Sequence, residues 1–111
     1  EEAGIIRGYR AILDQRLLGF DVTCFAMVNL ASQAEADLDA FAARVRQMPL
    51  VRECWTLSGE TDFLLKCVAP DLRAFQSFVL ELTATPNVRN VRTALTLDLV
   101  KDEPIVPVLE G

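Results

Sequence analysis

Ser58-Gly59-Glu60-Thr61-Asp62 sets five small or polar residues between two apolar runs. Glycine lets another molecule approach the main chain closely and leaves its N–H open to a carboxylate. Asp62 and Glu60 can accept from an ammonium group, while Ser58 and Thr61 each donate and accept. Trp55 and Leu57, immediately before, supply an apolar wall. A free amino acid needs that mixture of partners. The same residues also suit a plain hairpin turn, with Gly59 at positive φ and Asp62 bonded within its own turn. Both readings stand on residue types alone.

Other chemistries find less support. Proton transfer near neutral pH is usually entrusted to histidine, and the chain has none. Asp62, Glu60 and Glu53 lack an evident acid/base partner, so no catalytic residue and no enzyme is expected. Cys24, Cys54 and Cys67 each sit in an apolar run without a CxxC pair. They read as buried, reduced, structural thiols, with no metal or cofactor and in keeping with a cytoplasmic protein. A net charge of -5 and a pI near 4.6 give no basic field for nucleic-acid phosphates.

The elements that must position the polar insert are written in a repeat. "MPLVRECWTL" and "TPNVRNVRTAL" echo each other: Pro49 with Pro86, Val51 with Val88, Arg52 with Arg89, Thr56 with Thr93. The same offset upstream pairs Leu38 with Phe75, Phe41 with Phe78, Ala42 with Val79 and Val45 with Leu82. Those positions fall at i, i+3, i+4 and i+7, the apolar stripe of a helix. Strands are expected at about 22–31, 51–57, 62–69 and 88–100. Ser32 with Glu35 predicts a capping box for a first helix beginning near residue 34 and stopping by Pro49. Asp71 predicts the cap of a second helix, which Pro86 ends.

The order βαββαβ with internal similarity predicts an α+β, ferredoxin-like sandwich: two helices on one face of a four-stranded antiparallel sheet, in the order 4-1-3-2. A chain of 111 residues makes one such domain. The first strand is apolar on both alternating sets, Val22, Cys24, Ala26, Val28 and Leu30 on one side, Phe25 and Met27 on the other. A one-sided sheet would alternate cleanly. With 51% hydrophobic residues and a mean hydropathy of +0.25, the second face is expected to be covered by another copy of the chain, or else by its N-terminal segment. No apolar run approaches the ~18 residues of a membrane helix. Residues 5–13 have strand-like composition, residues 14–19 read as a turn or short link, and "DEPIVPVLEG" reads as an irregular tail lying across the surface.

Taken together, "GIIRGYRAILD", the split βαββαβ unit and "LSGETDFLLKCVAPDLRAF" resemble the Lrp/AsnC family, the feast/famine transcriptional regulators of bacteria and archaea. The resemblance runs from Glu1 to about Asp102. It implies that residues 1–20 are a connector strand and link following a winged helix-turn-helix, that 21–102 form a RAM domain for ligand binding and oligomerisation, and that 103–111 are an extended tail. Gly59 and Asp62 match the family's G-x-x-D turn, which implies an effector pocket where dimers meet. Ser58, Glu60, Thr61, Trp55 and Leu57 surround that turn. The end of helix two in a neighbouring dimer implies further contributions from Thr83, Thr85 and Pro86. The implied partners are a homodimer assembling to an octamer or similar, an amino-acid effector, and DNA only through the missing helix-turn-helix. A stand-alone amino-acid-binding RAM module and a small dimeric ferredoxin-like enzyme are the alternatives. An RNA-recognition module has the same element order, but "TCFAMVN" and "DFLLKCV" offer one aromatic each on an acidic chain.

Overall fold

In the computed structural model, the described residues are 22–109 together with Gly19. The expected connector over 1–20 therefore lies, apart from Gly19, outside the described residues. Element order is β1 (Val22–Leu30), α1 (Glu35–Val45), β2 (Val51–Thr56), β3 (Phe63–Ala69), α2 (Leu72–Thr83) and β4 (Val88–Leu95). The strands form one antiparallel sheet in the order β2-β3-β1-β4. This is the expected α+β ferredoxin-like sandwich.

Period-two side-chain alternation sorts the sheet into two faces. Cys24, Ala26, Val28 and Leu30 of β1 and Phe63, Leu65, Cys67 and Ala69 of β3 are buried in one core with Phe41 and Val45 of α1 and Phe75, Phe78 and Leu82 of α2. Phe41 lies 4.8 Å from Phe63, centroid to centroid, which joins α1 to the sheet. The helical stripes read from the repeat thus face one side of the sheet. On the other side Phe25, Met27, Leu64 and Val68 are only half-buried. Trp55, opposite Leu64 in the β2–β3 register, is 44% exposed.

The repeat also reaches the irregularities. Pairing of β2 with β3 shifts between Val51 and Glu53, leaving Arg52 as the extra residue. Pairing of β4 with β1 shifts at Asn29/Leu30, where Asn90 and Val88 are matched and Arg89 is skipped. Both edge strands therefore bulge at the position of the repeated arginine. Bulges bend an edge and blunt it against pairing with a foreign strand.

Several local expectations need correction. Ser32 and Glu35 form no capping box: the N-cap of α1 is Ala34, with no side-chain cap, and Ser32 Oγ instead donates to Asp37 at 2.6 Å. The cause is tertiary, because Asn87 holds both backbone groups of Ser32 and fixes it two residues ahead of the cap. Asp71 does cap α2, accepting from Ala74 N–H at 2.8 Å. The first helix ends at Val45, not at Pro49, and Gln47 and Met48 N–H close tighter turns on Arg44 and Val45. The fourth strand stops at Leu95 rather than near residue 100, because β1 begins at Val22 and Thr96 makes the last bonds, to Thr23 O. The tail is irregular over the described residues 102–109. Ile105, Val106, Val108 and Leu109 are all largely exposed.

Cys54 is a further correction, since it is exposed while Cys24 and Cys67 are buried. It points to the helix side of β2, in register with Leu65, but β2 is an edge strand that α1 does not fully cover. All three thiols are free. Burial pushes Cys24 up to about 11 and Cys67 up to about 12, the latter helped by its cysteine neighbours. Desolvation also raises Cys54, against an opposing pull from Arg46.

Candidate functional site

Residues 57–62 connect β2 to β3 at one end of the sheet. Leu57 N–H donates to Asp62 O at 3.0 Å and Asp62 N–H to Val28 O at 3.1 Å, so the turn is closed on itself and sewn to β1. Gly59 sits at φ +103 and a Cβ there would meet nothing within 4 Å. Glycine is required for conformation, not for room, and that open space lies beside the exposed main chain.

Asp62 is not an isolated turn residue. One carboxylate oxygen, Oδ2, accepts from Leu30 N–H at 2.8 Å and from the Gln33 side-chain amide at 3.2 Å. Gln33 in turn donates to Leu30 O at 2.6 Å. Asn29 donates its side-chain amide to Glu60 O. Arg92, on β4, reaches Thr61 Oγ1 at 3.4 Å from the outer face of the sheet. Thr61 and Asp62 are half-buried, whereas Ser58, Gly59 and Glu60 are exposed.

The second expected cluster lies at the α2–β4 junction. Thr83 Oγ1 donates to Val79 O at 2.8 Å and Thr85 Oγ1 to Glu81 O at 3.0 Å, so both hydroxyls bond back into the last turn of the helix. Thr85 is buried while Thr83 and Pro86 are exposed. Asn87, at φ +72, completes the junction. Its Oδ1 accepts from Ser32 N–H at 2.9 Å, its Nδ2 donates to Ser32 O at 3.1 Å, and its carbonyl accepts from Ala31 N–H at 2.8 Å.

The two clusters thus flank the same stretch, residues 29–33, from opposite sides. Ser58 to Asp62 are consecutive in one turn; Trp55 lies on the outer sheet face, and Leu57 is 40% exposed at the start of the turn. Asn29, Gln33, Asn87 and Arg92 were missed. Asn87 had a legible signal, an Asn just past a helix end, where left-handed backbone is common. Arg92 and the Gln33–Asp62 bond had none, since those partners are distant in sequence.

Chemically, the turn offers an open main-chain N–H, hydroxyls, two carboxylates and a guanidinium, enough for both ends of a zwitterion. No group of metal-ligating side chains stands together among the described residues. A cleft of about 350 Å³ lies elsewhere, between α1 and β2, lined by Val45, Arg46, Val51, Cys54 and Phe63. It is the gap left where α1 stops short of the edge strand, and it contains none of the candidate residues. The turn itself is an open surface on a single chain. No helix among the described residues is long and apolar enough to cross a membrane.

Known proteins place this arrangement. The family model for the Lrp/AsnC ligand binding domain matches residues 23–106. The leucine-responsive regulatory protein of Rhizobium meliloti (strain 1021) is 60% identical over 103 residues, covering 92% of this chain and 66% of its own length. Among solved structures, a transcriptional regulator of Neisseria meningitidis in complex with L-Met superposes with a TM-score of 0.77 at 34% identity, over 96% of this chain and 70% of the other. An AsnC family regulator of Agrobacterium tumefaciens gives 0.76 at 33% identity, with the same coverages. The chain therefore spans about two thirds of the length of the relatives it matches. Fold, family model and identity agree: the chain belongs to the Lrp/AsnC ligand-binding domain family.

Proposed function

We propose that this chain is the effector-sensing and oligomerisation domain of a transcriptional regulator, binding an amino acid at the 58–62 turn where dimers meet. The observation that carries this reading is the turn itself. Gly59 holds an exposed main chain at φ +103 while Asp62, fixed through Oδ2 by Leu30 and Gln33, keeps a carboxylate oxygen at the sheet end. In support, a relative with 34% identity is known as an L-Met complex. Ser58, Glu60 and Thr61 surround the ligand in this reading, Trp55 and Leu57 line its apolar side, and Thr83, Thr85 and Pro86 of another dimer close it.

Binding changes assembly only if the ligand's affinity differs between assemblies. The apolar outer face of the sheet makes the homodimer, and dimers assemble further into an octamer or a similar ring. DNA is bound through a helix-turn-helix in the intact regulator and not through this acidic domain. The protein acts in the cytoplasm, as a binding module without a catalytic residue.

Calorimetric titration with the twenty amino acids, paired with light scattering, tests the reading. Expected is heat from at least one of them, a change in particle mass, and a loss of at least about tenfold in affinity for Asp62→Ala, the range for removing a partner from a charged group. Absence of heat from all twenty, at unchanged mass, would refute it.

A further inference from the structure

The two candidate clusters share no direct hydrogen bond among the described residues, yet both grip residues 29–33. On one side, Asp62 Oδ2 takes Leu30 N–H and Gln33 Nε2, and Asn29 donates to Glu60 O. On the other, Asn87 makes three bonds: its Oδ1 accepts from Ser32 N–H, its Nδ2 donates to Ser32 O, and its carbonyl accepts from Ala31 N–H. Bonds from the two sides alternate along the chain: 29 and 30 to the hairpin, 31 and 32 to Asn87, 33 to the hairpin again. Each grip therefore restrains a stretch of chain that the other also holds.

We infer that Asn87 is a positioning residue for the effector site: through Ala31 and Ser32 it sets the Leu30 N–H and the Gln33 amide that aim the Asp62 carboxylate. The inference rests on the functional reading above and adds a residue that touches no ligand. Three features single out Asn87. Its φ of +72 is one that few side chains other than Asn and Asp adopt without strain. Its side-chain amide carries an acceptor and a donor on separate atoms, one for Ser32 N–H and one for Ser32 C=O. The β1–β4 register shift falls at Asn29/Leu30, beside the gripped segment, so the sheet ladder there leaves part of the alignment to these side-chain bonds.

Leu30 is fully buried and anchors one end of the segment, whereas Ala31 and Gln33 are exposed and Ser32 half-buried. Packing therefore does little to fix residues 31–33. Their hydrogen bonds must do it.

The test compares Asn87→Gly, which keeps the positive φ and loses both side-chain bonds, with Asn87→Asp, which keeps the acceptor for Ser32 N–H and loses the donor. Asp71→Ala, which removes the cap of α2 far from the segment, serves as a control for general destabilisation. The first readout needs no ligand: amide exchange measured residue by residue by NMR. For Asn87→Gly, exchange at Leu30, Leu57 and Asp62 is expected to quicken by about fivefold or more beyond the Asp71→Ala control, as lost local bonds lower a local opening energy. Asn87→Asp should fall between wild type and Asn87→Gly. Quickening confined to Ala31 and Ser32 would overturn the inference.

The second readout is calorimetric, with L-methionine as the probe and the other amino acids as a panel. Asn87→Gly is expected to weaken the tightest binder by about fivefold, the worth of one or two hydrogen bonds, with partial recovery in Asn87→Asp. Equal affinity in all three proteins would also overturn it. If wild type binds none of the panel, the amino-acid reading fails by itself, and exchange at Leu30 and Asp62 still decides whether Asn87 positions the turn.

Discussion

At the residue scale, the three thiols differ by where the sheet puts them. Cys24 and Cys67 pair across β1 and β3 in the centre of the core, where burial disfavours the thiolate. Cys54 lies on the edge strand with Arg46 nearby. Iodoacetamide at pH 8 should therefore modify Cys54 alone in the folded protein and all three after unfolding, as read by peptide mass spectrometry. Early modification of Cys67 would contradict the core as described. The raised pKa values also set a pH window. Thiols held protonated in the fold contribute stability that is fully present below about 9, their unfolded value, and is lost as pH rises toward 11 and 12. Urea midpoints should fall across that window, and a Cys24→Ala/Cys67→Ala variant should fall less. The sequence exposed the greasy setting of all three cysteines, but not that one of them sits at an edge.

At the element scale, the helices were legible because a 3.6-residue stripe records which side is buried, and each stripe residue read from the repeat is buried or half-buried. Their ends were less legible. Asp71 caps α2 through its own side chain, a bond made within four residues, so sequence sufficed. Ser32 was diverted by Asn87, fifty-five positions away, and sequence could not see it. The uncapped α1 yields a contrast. Ala34→Ser should stabilise by about 0.5–1 kcal/mol, and Asp71→Ala should destabilise by about 1 kcal/mol, both by urea denaturation. A neutral Ala34→Ser would mean that the Ser32 hydroxyl, 3.3 Å from Ala34 N–H, already satisfies the helix start. In the core, Phe41→Ala removes the ring that joins α1 to Phe63 and should cost about 3–5 kcal/mol.

At the scale of the whole molecule, a sheet covered by helices on one face leaves Phe25, Met27, Leu64, Val68 and Trp55 on the other. Under the proposed function this face is the homodimer interface. Met27→Glu combined with Leu64→Glu should then reduce the solution mass to that of one chain, 12.3 kDa, by light scattering, while far-ultraviolet circular dichroism stays native. An unchanged mass would move the interface elsewhere. The stretch after β4 is the other uncovered apolar surface. Leu97, Val100 and Val108 are each at least 90% exposed, so it adds nothing to this domain's core. The fold was legible in the repeat, and the family in "GIIRGYRAILD", the split βαββαβ unit and "LSGETDFLLKCVAPDLRAF" together.

The sequence by itself determined the element order, the strand order, the buried helix stripes and the polar turn with its obligatory glycine. All of these depend on residues within a few positions of one another, or on a period repeated along the chain. Tertiary structure alone decided where Asp62 directs its carboxylate, why Ser32 and Glu35 form no capping box, that Cys54 is exposed and that Arg92 stands beside Thr61. Each of those depends on a contact between distant segments whose partners have no shared spacing, and hydrogen bonds of that kind leave no periodic trace.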